Sequence, residues 1–226
     1  MENGDIQNDA KPNRSARPSS RPAPGAIAGR GLVGWGQFCG KVRADAAFCE
    51  PERLRKFNRF RARFLLASRF RGVVADHYDQ NRLDGYSAGI GLLLAYSAAE
   101  GLVNALGQRR ITWQFADPAI AARLRPLFAR ARNSGFEVFS DPARRLWLEE
   151  FCANRTDDIW GAATALRVLV AHGFFTPTGV DALTKRGVAA IDDLRLLLLV
   201  RAELQFNEWL AERTAAAEPP TSTLSP

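Results

Sequence analysis

This sequence predicts an all-α fold, an antiparallel bundle of about five to six helices, and three observations carry the expectation. Apolar residues recur at helical spacing in four long stretches, beginning near Pro51, Gly85, Ile159 and Leu183. Aspartate, threonine or proline stands where a helix should begin, at Pro51, Asp84, Asp117-Pro118, Asp141-Pro142 and Thr156. Extended character is confined to residues 111–115 and 135–139, enough for at most a minor two-stranded element.

A chain of 226 residues, 46% of them hydrophobic, suits one domain of ordinary size with tails. Residues 1–30 are rich in Asn, Pro, Ser, Arg and Gly without apolar periodicity, so they read as a disordered basic tail. Residues 31–215 then form the single bundle domain, and 216–226 a second disordered tail. The net charge of +7, supplied almost wholly by arginine, and a pI near 9.9 favour an anionic partner. A basic surface kept for solubility is the blander alternative.

Cys39, Cys49 and Cys152 show no paired spacing, and reduced thiols are expected. With His77 and His172 as the only histidines, no metal site and no cofactor are expected. The polar, acidic start is unlike a signal peptide, and the apolar run 85–99 meets Glu100 before reaching membrane-spanning length. A soluble, cytoplasmic protein is the expectation.

The first predicted helix starts at Pro51, with Leu54, Phe57, Phe60, Phe64 and Ala67 as its apolar stripe. Arg53, Arg55, Lys56, Arg59 and Arg63 lie away from that stripe. They suit a phosphate backbone, or simply the solvated face of a bundle helix. Residues 71–83 are mostly polar and predict the end of this helix and a turn, with His77 in it. Asp84 is the expected cap of the next helix, 85–106, whose small residues admit a close neighbour. Glu100 and Asn104 stand one turn apart on it, a carboxylate and an amide that need partners inside an apolar helix.

After the 111–155 segment, with short helices after Asp117-Pro118 and Asp141-Pro142, comes the organising stretch, 156–178. Pro126 is expected to kink or break the first of those short helices. In the organising stretch Ile159, Ala163, Leu166 and Val170 predict one buried face. His172 falls in the last turn, Gly173 is the stop, and Pro177 is a second break. The last predicted helix runs from about 179 to 213, through Leu183, Val188, Ile191, Leu194, Leu198, Ala202, Phe206 and Leu210, with Gly187 weakening it locally.

Two enzyme signatures occur without their context. Gly29-x-Gly31-x-x-Gly34 spells a dinucleotide fingerprint, but Arg21-Pro-Ala-Pro-Gly before it is no strand. Gly85-Tyr86-Ser87-Ala88-Gly89 matches the serine-hydrolase elbow, with Asp157 and His172 following in order. The buried strand that must precede the elbow is missing from the polar 77–84 segment. A hydrolase built on Ser87 therefore stands as a remote alternative.

Arg167-Val-Leu-Val-Ala-His172-Gly173, together with the upstream helix Tyr96-Ser-Ala-Ala-Glu100-Gly-Leu-Val-Asn104 and the order of helices, resembles the HEPN superfamily. These are small helical-bundle proteins of ribonuclease toxins, defence systems and nucleotide-linked enzymes. The resemblance covers about 51–213, with an insertion-like middle at 111–155. It implies metal-independent RNA cleavage at a homodimer interface, with an antitoxin-like or nucleotidyltransferase partner. It makes Arg167 and His172 catalytic, His172 moving the ribose 2′-hydroxyl or leaving-group proton and Arg167 holding phosphate charge. Val168 occupies the position after the arginine where active members carry a polar residue. Five residues on an ideal helix set Arg167 and His172 about 140° apart, so convergence needs an unwound last turn or a second subunit. The competing reading is a non-catalytic interaction module of the same fold, in which Arg167 pairs with Glu100 and His172 meets the helix C-terminal dipole.

Overall fold

The computed structural model describes residues 31–108, 113, 116–135, 141–171 and 185–217. Among them the fold is all-α, with seven α-helices rather than five to six. They are α1 Trp35–Ala44, α2 Pro51–Arg69, α3 Gln80–Ala105, α4 Pro118–Gly135, α5 Pro142–Cys152, α6 Ile159–Ala171 and α7 Lys185–Ala217. No strand occurs among the described residues, and the single antiparallel bridge joins Ala116 to Asp158. Residues 1–30 and 218–226, most of the 111–115 and 135–139 pieces, His172, Gly173, Pro177 and Leu183 lie outside the described residues, and α7 runs two residues into the expected C-terminal tail.

The additional helix, α1, comes from the glycine-rich stretch after residue 30. Gly34 takes a left-handed conformation (φ 79°) at its N-cap, a conformation that costs glycine little. The buried Glu203 carboxylate accepts from the Val33 N–H at 2.9 Å, fastening this turn to α7. Arg213 Nε donates to the Phe48 carbonyl (3.2 Å), tying down the 3-10 turn Ala46–Phe48 beyond α1.

In α2, Pro51 occupies the first turn, and Phe57, Phe60, Phe64 and Ala67 are buried as their spacing predicts. The next helix begins earlier than expected. Asp79 caps it, accepting from the Arg82 N–H at 3.0 Å, while Asp84 accepts instead from the Gln80 side chain at 2.7 Å. Polar residues 80–84 read as a loop because this first turn projects beyond the bundle and is largely exposed. Pro126 sits inside α4 without ending it. Asp117 and Asp141 cap α4 and α5 through Ile120 and Ala143, each at 3.0 Å. At α6 the capping carboxylate is Asp158, which accepts from Trp160 and Gly161, and Thr156 accepts in turn from Asp158.

The long helix α3 lies at the centre, packed by α2, α7 and α6. α4 packs on α7 and carries α5 and α6 beside it. By length and composition α3 could cross a membrane, yet 67% of its apolar window is buried inside the bundle. Phe206 on α7 is the hub of an aromatic cluster, its ring centroid within 6.4 Å of those of Trp35, Phe38, Phe57, Phe60 and Trp209. Phe128, Trp147 and Phe151 form a second cluster between α4 and α5. Gly187, expected to weaken α7, lets α4 approach closely: a Cβ there would lie 2.8 Å from the Leu127 side chain.

Truncating the fully buried Phe206 removes ring contacts to α1 and α2 as well as to Trp209 on its own helix. Phe206→Ala should cost about 3–5 kcal/mol of unfolding free energy. The urea midpoint should fall accordingly, with little change in the slope of the transition.

Candidate functional site

Three helices present residues at helical spacing to one open cleft of about 1070 Å³. From α2 come Lys56 and Arg63, and from α3 Tyr96, Glu100 and Asn104. From α6 come Trp160, Thr164 and Arg167, and the first turn of α5 closes the rim with Asp141 and Arg144. Each set repeats at three, four or seven residues, which places it on a single helix face. The cleft thus gathers Arg167, Glu100 and Asn104 of the resemblance with two of the five cations of the basic helix. Arg55 and Arg59 are exposed elsewhere on α2, and Arg53 is half-buried beside Gly107.

Arg167 is held by two soft contacts. Its guanidinium carbon lies 4.8 Å from the Tyr96 ring centroid, and Nη2 stands 3.9 Å from Glu100 Oε1. Both side chains of the pair remain nearly half exposed, at 44% and 45%. The Tyr96 ring stacks on Trp160, with centroids 4.9 Å apart and planes 18° from parallel. Thr164 Oγ1 donates to the Trp160 carbonyl (3.0 Å) and stands 3.3 Å from the Tyr96 hydroxyl, a contact in which either oxygen can be the donor. Burial pushes the Tyr96 phenol above its ordinary range. Nearby Glu100 adds to that rise, while the Thr164 hydrogen bond and Arg167 oppose it.

The four cations differ in how far they are neutralised. Lys56 pairs with Glu52 at 2.9 Å, and Arg144 faces Asp141 at 3.5 Å. Arg63 reaches only the Ser97 carbonyl, at 3.4 Å, among the described residues. It lies over Gly101, where a Cβ would come within 3.4 Å of Nη1 and 3.5 Å of the Phe60 Cα. Cations in excess of carboxylates suit an anionic ligand. No three metal-ligating side chains converge among the described residues.

Trp160, Thr164 and Arg144 were not singled out from the sequence. The first two share a helical row with Arg167 and were legible there, whereas Arg144 enters only through the packing of α5. Of the serine-hydrolase constellation, Ser87 and Asp157 are the described members, and each is held by other groups. Ser87 sits in the second turn of a helix, its hydroxyl donating to the Leu83 carbonyl (2.6 Å) and accepting from the Val73 N–H (2.9 Å). Asp157 is engaged by Arg125, which also donates to the Phe151 and Thr156 carbonyls. His77 adopts a left-handed turn conformation (φ 65°) before α3, and Cys39, Cys49 and Cys152 are free thiols.

Comparison with protein-family models, with curated proteins and with solved structures gave no match.

The raised Tyr96 pKa makes a signed prediction. A phenol whose folded pKa exceeds its unfolded value, near 10, contributes stability fully present below that value and lost as pH climbs through the folded pKa. Phenolate absorbance should therefore show a component titrating above the ordinary tyrosine range. Tyr96→Phe should delete it and flatten the matching part of the alkaline stability loss.

Proposed function

We propose that the protein is a HEPN-like helical bundle that binds single-stranded RNA in the cleft between α2, α3, α5 and α6, with Arg167 on a phosphate. The observation carrying this reading is the convergence of Lys56, Arg63, Arg144 and Arg167, from three separate helices, on one open cleft beside Tyr96 and Trp160. Phosphate contacts supply most of the affinity for a nucleic acid, and planar guanidinium forks match phosphate oxygens. In the catalytic form of the reading, His172 directly follows the last residue of α6 and takes the 2′-hydroxyl proton. The 2′-oxygen then attacks the adjacent phosphorus while Arg167 stabilises the added charge, and the P–O5′ bond breaks as the 5′-oxygen takes the proton that His172 carries. No metal takes part in this scheme.

A second reading has its own observation. Arg167 packs on Tyr96 and faces Glu100, both on α3, so the same side chain fastens α6 to the central helix. A non-catalytic interaction or dimerisation module needs no more than that.

Labelled single-stranded RNA titrated with the full chain separates the two. Binding should weaken steeply with salt. Arg63→Ala and Arg167→Ala should each reduce affinity and lower the log–log salt slope by about 0.7 per lost phosphate contact. RNA cleavage in EDTA that His172→Ala abolishes at unchanged melting temperature establishes the nuclease form. Binding without cleavage leaves the binding form alone. Absence of binding, with Arg167→Ala melting early, favours the module.

A further inference from the structure

A cleft built only to hold phosphate has no use for a carboxylate among its lining groups, yet Glu100 lines it. It is not consumed as a counterion: its one ion pair among the described residues is the 3.9 Å approach to Arg167, beyond hydrogen-bond distance. No hydrogen bond to its carboxylate, or to the Asn104 amide one turn further along α3, is made by any described residue. Arg167, over the Tyr96 ring, is the cation placed beside it, and Arg63 lies over the adjacent Gly101. The lining thus divides by chemistry. Guanidinium groups offer donors to phosphate oxygens, while Glu100 offers acceptors and Asn104 offers one of each.

From this division we infer that the cleft selects its RNA by base, with Glu100 and Asn104 reading the Watson–Crick edge of an unpaired guanine. The inference rests on the RNA-binding reading above. Guanine is the one standard base whose edge places two donors, N1–H and N2–H, side by side, the pattern that both oxygens of a carboxylate accept together. Its neighbouring O6 is an acceptor suited to the Asn104 NH₂. Adenine and cytosine each set a ring-nitrogen acceptor beside their amino group, and uracil flanks its single N–H with two carbonyls. Each therefore turns at least one lone pair toward the Glu100 carboxylate.

The test uses short oligouridylates carrying one central guanosine, inosine, adenosine or cytidine, titrated with the full chain and with Glu100→Gln. Wild type should bind the guanosine oligomer roughly tenfold or more tighter than the adenosine one. Inosine, which lacks the N2 amino group, should fall between them. Glu100→Gln is isosteric at a half-exposed position. It should erase the guanosine preference, so that the guanosine and adenosine oligomers bind alike. Equal affinity of wild type for all four oligomers, or a preference that survives in Glu100→Gln, overturns base selection and leaves RNA binding intact. Failure of every oligomer to bind overturns both. If Glu100→Gln melts early, the wild-type comparison of guanosine, inosine and adenosine decides alone.

Discussion

The constraint on which the rest depends is the burial of α3. Three helices pack against it, and its small residues are what allow them to come so close. A Cβ on Gly91 would lie 2.8 Å from the Arg195 side chain of α7, and one on Gly89 3.1 Å from Val170 of α6. A helix crowded in this way has little surface left on which a charge can be hydrated. Glu100 and Asn104 occupy that remaining strip, and the cleft opens along it. The packing of the core thus decides where the polar chemistry can be, because beyond the exposed first turn an ionised carboxylate on the packed faces of α3 would be buried without a partner.

The helical stretches were legible where apolar spacing was long and regular. Phe57, Phe60 and Phe64 on α2, and Ile191 through Leu210 on α7, fall inside as their periods require. Along α6, Ile159, Ala163 and Leu166 are buried, whereas Val170 is only half-buried; Ala162, Ala165 and Leu169 complete its covered face. The missed elements share a physical cause. α1 begins with Gly34, Trp35 and Gly36, a composition of poor helix propensity, and holds because Glu203 and Arg213 of α7 satisfy the backbone around it. The start of α3 was misplaced by a turn because its first residues bury nothing, so only the Asp79 cap marks it.

The site was half legible. Arg167, Glu100 and Asn104 stood out as polar residues on apolar helices, and a pairing of Arg167 with Glu100 was foreseeable from the need to satisfy them. Which cations of α2 would join them was not. Lys56 and Arg63 face the cleft while Arg55 and Arg59 do not, a choice set by the rotation of α2 against α3 and hence by the Phe60–Gly101 contact. Arg144 was further out of reach, since α5 meets the cleft only through its placement by Phe128, Trp147 and Phe151. Helical periodicity tells which residues share a face, and it is silent on which faces meet.

The energetics of Arg167 explain how one side chain can serve both a fold and a ligand. A half-exposed ion pair is worth about 0–1 kcal/mol, and a guanidinium over an aromatic ring at an exposed site about 0.5–1 kcal/mol. Together they hold the guanidinium over Tyr96 without committing its donors, since Glu100 stands too far away to take a hydrogen bond. Ring stacking leaves the guanidinium edge free, and the edge is where an arginine meets a phosphate. Tyr96 is in turn fixed by Trp160 on its ring and Thr164 at its hydroxyl, so the platform beneath Arg167 is more rigid than the arginine itself. An arginine held in this way pays little of its side-chain entropy again when an anion arrives. A full Arg167–Glu100 salt bridge would instead have had to break first, at the cost of one of the contacts between α6 and α3.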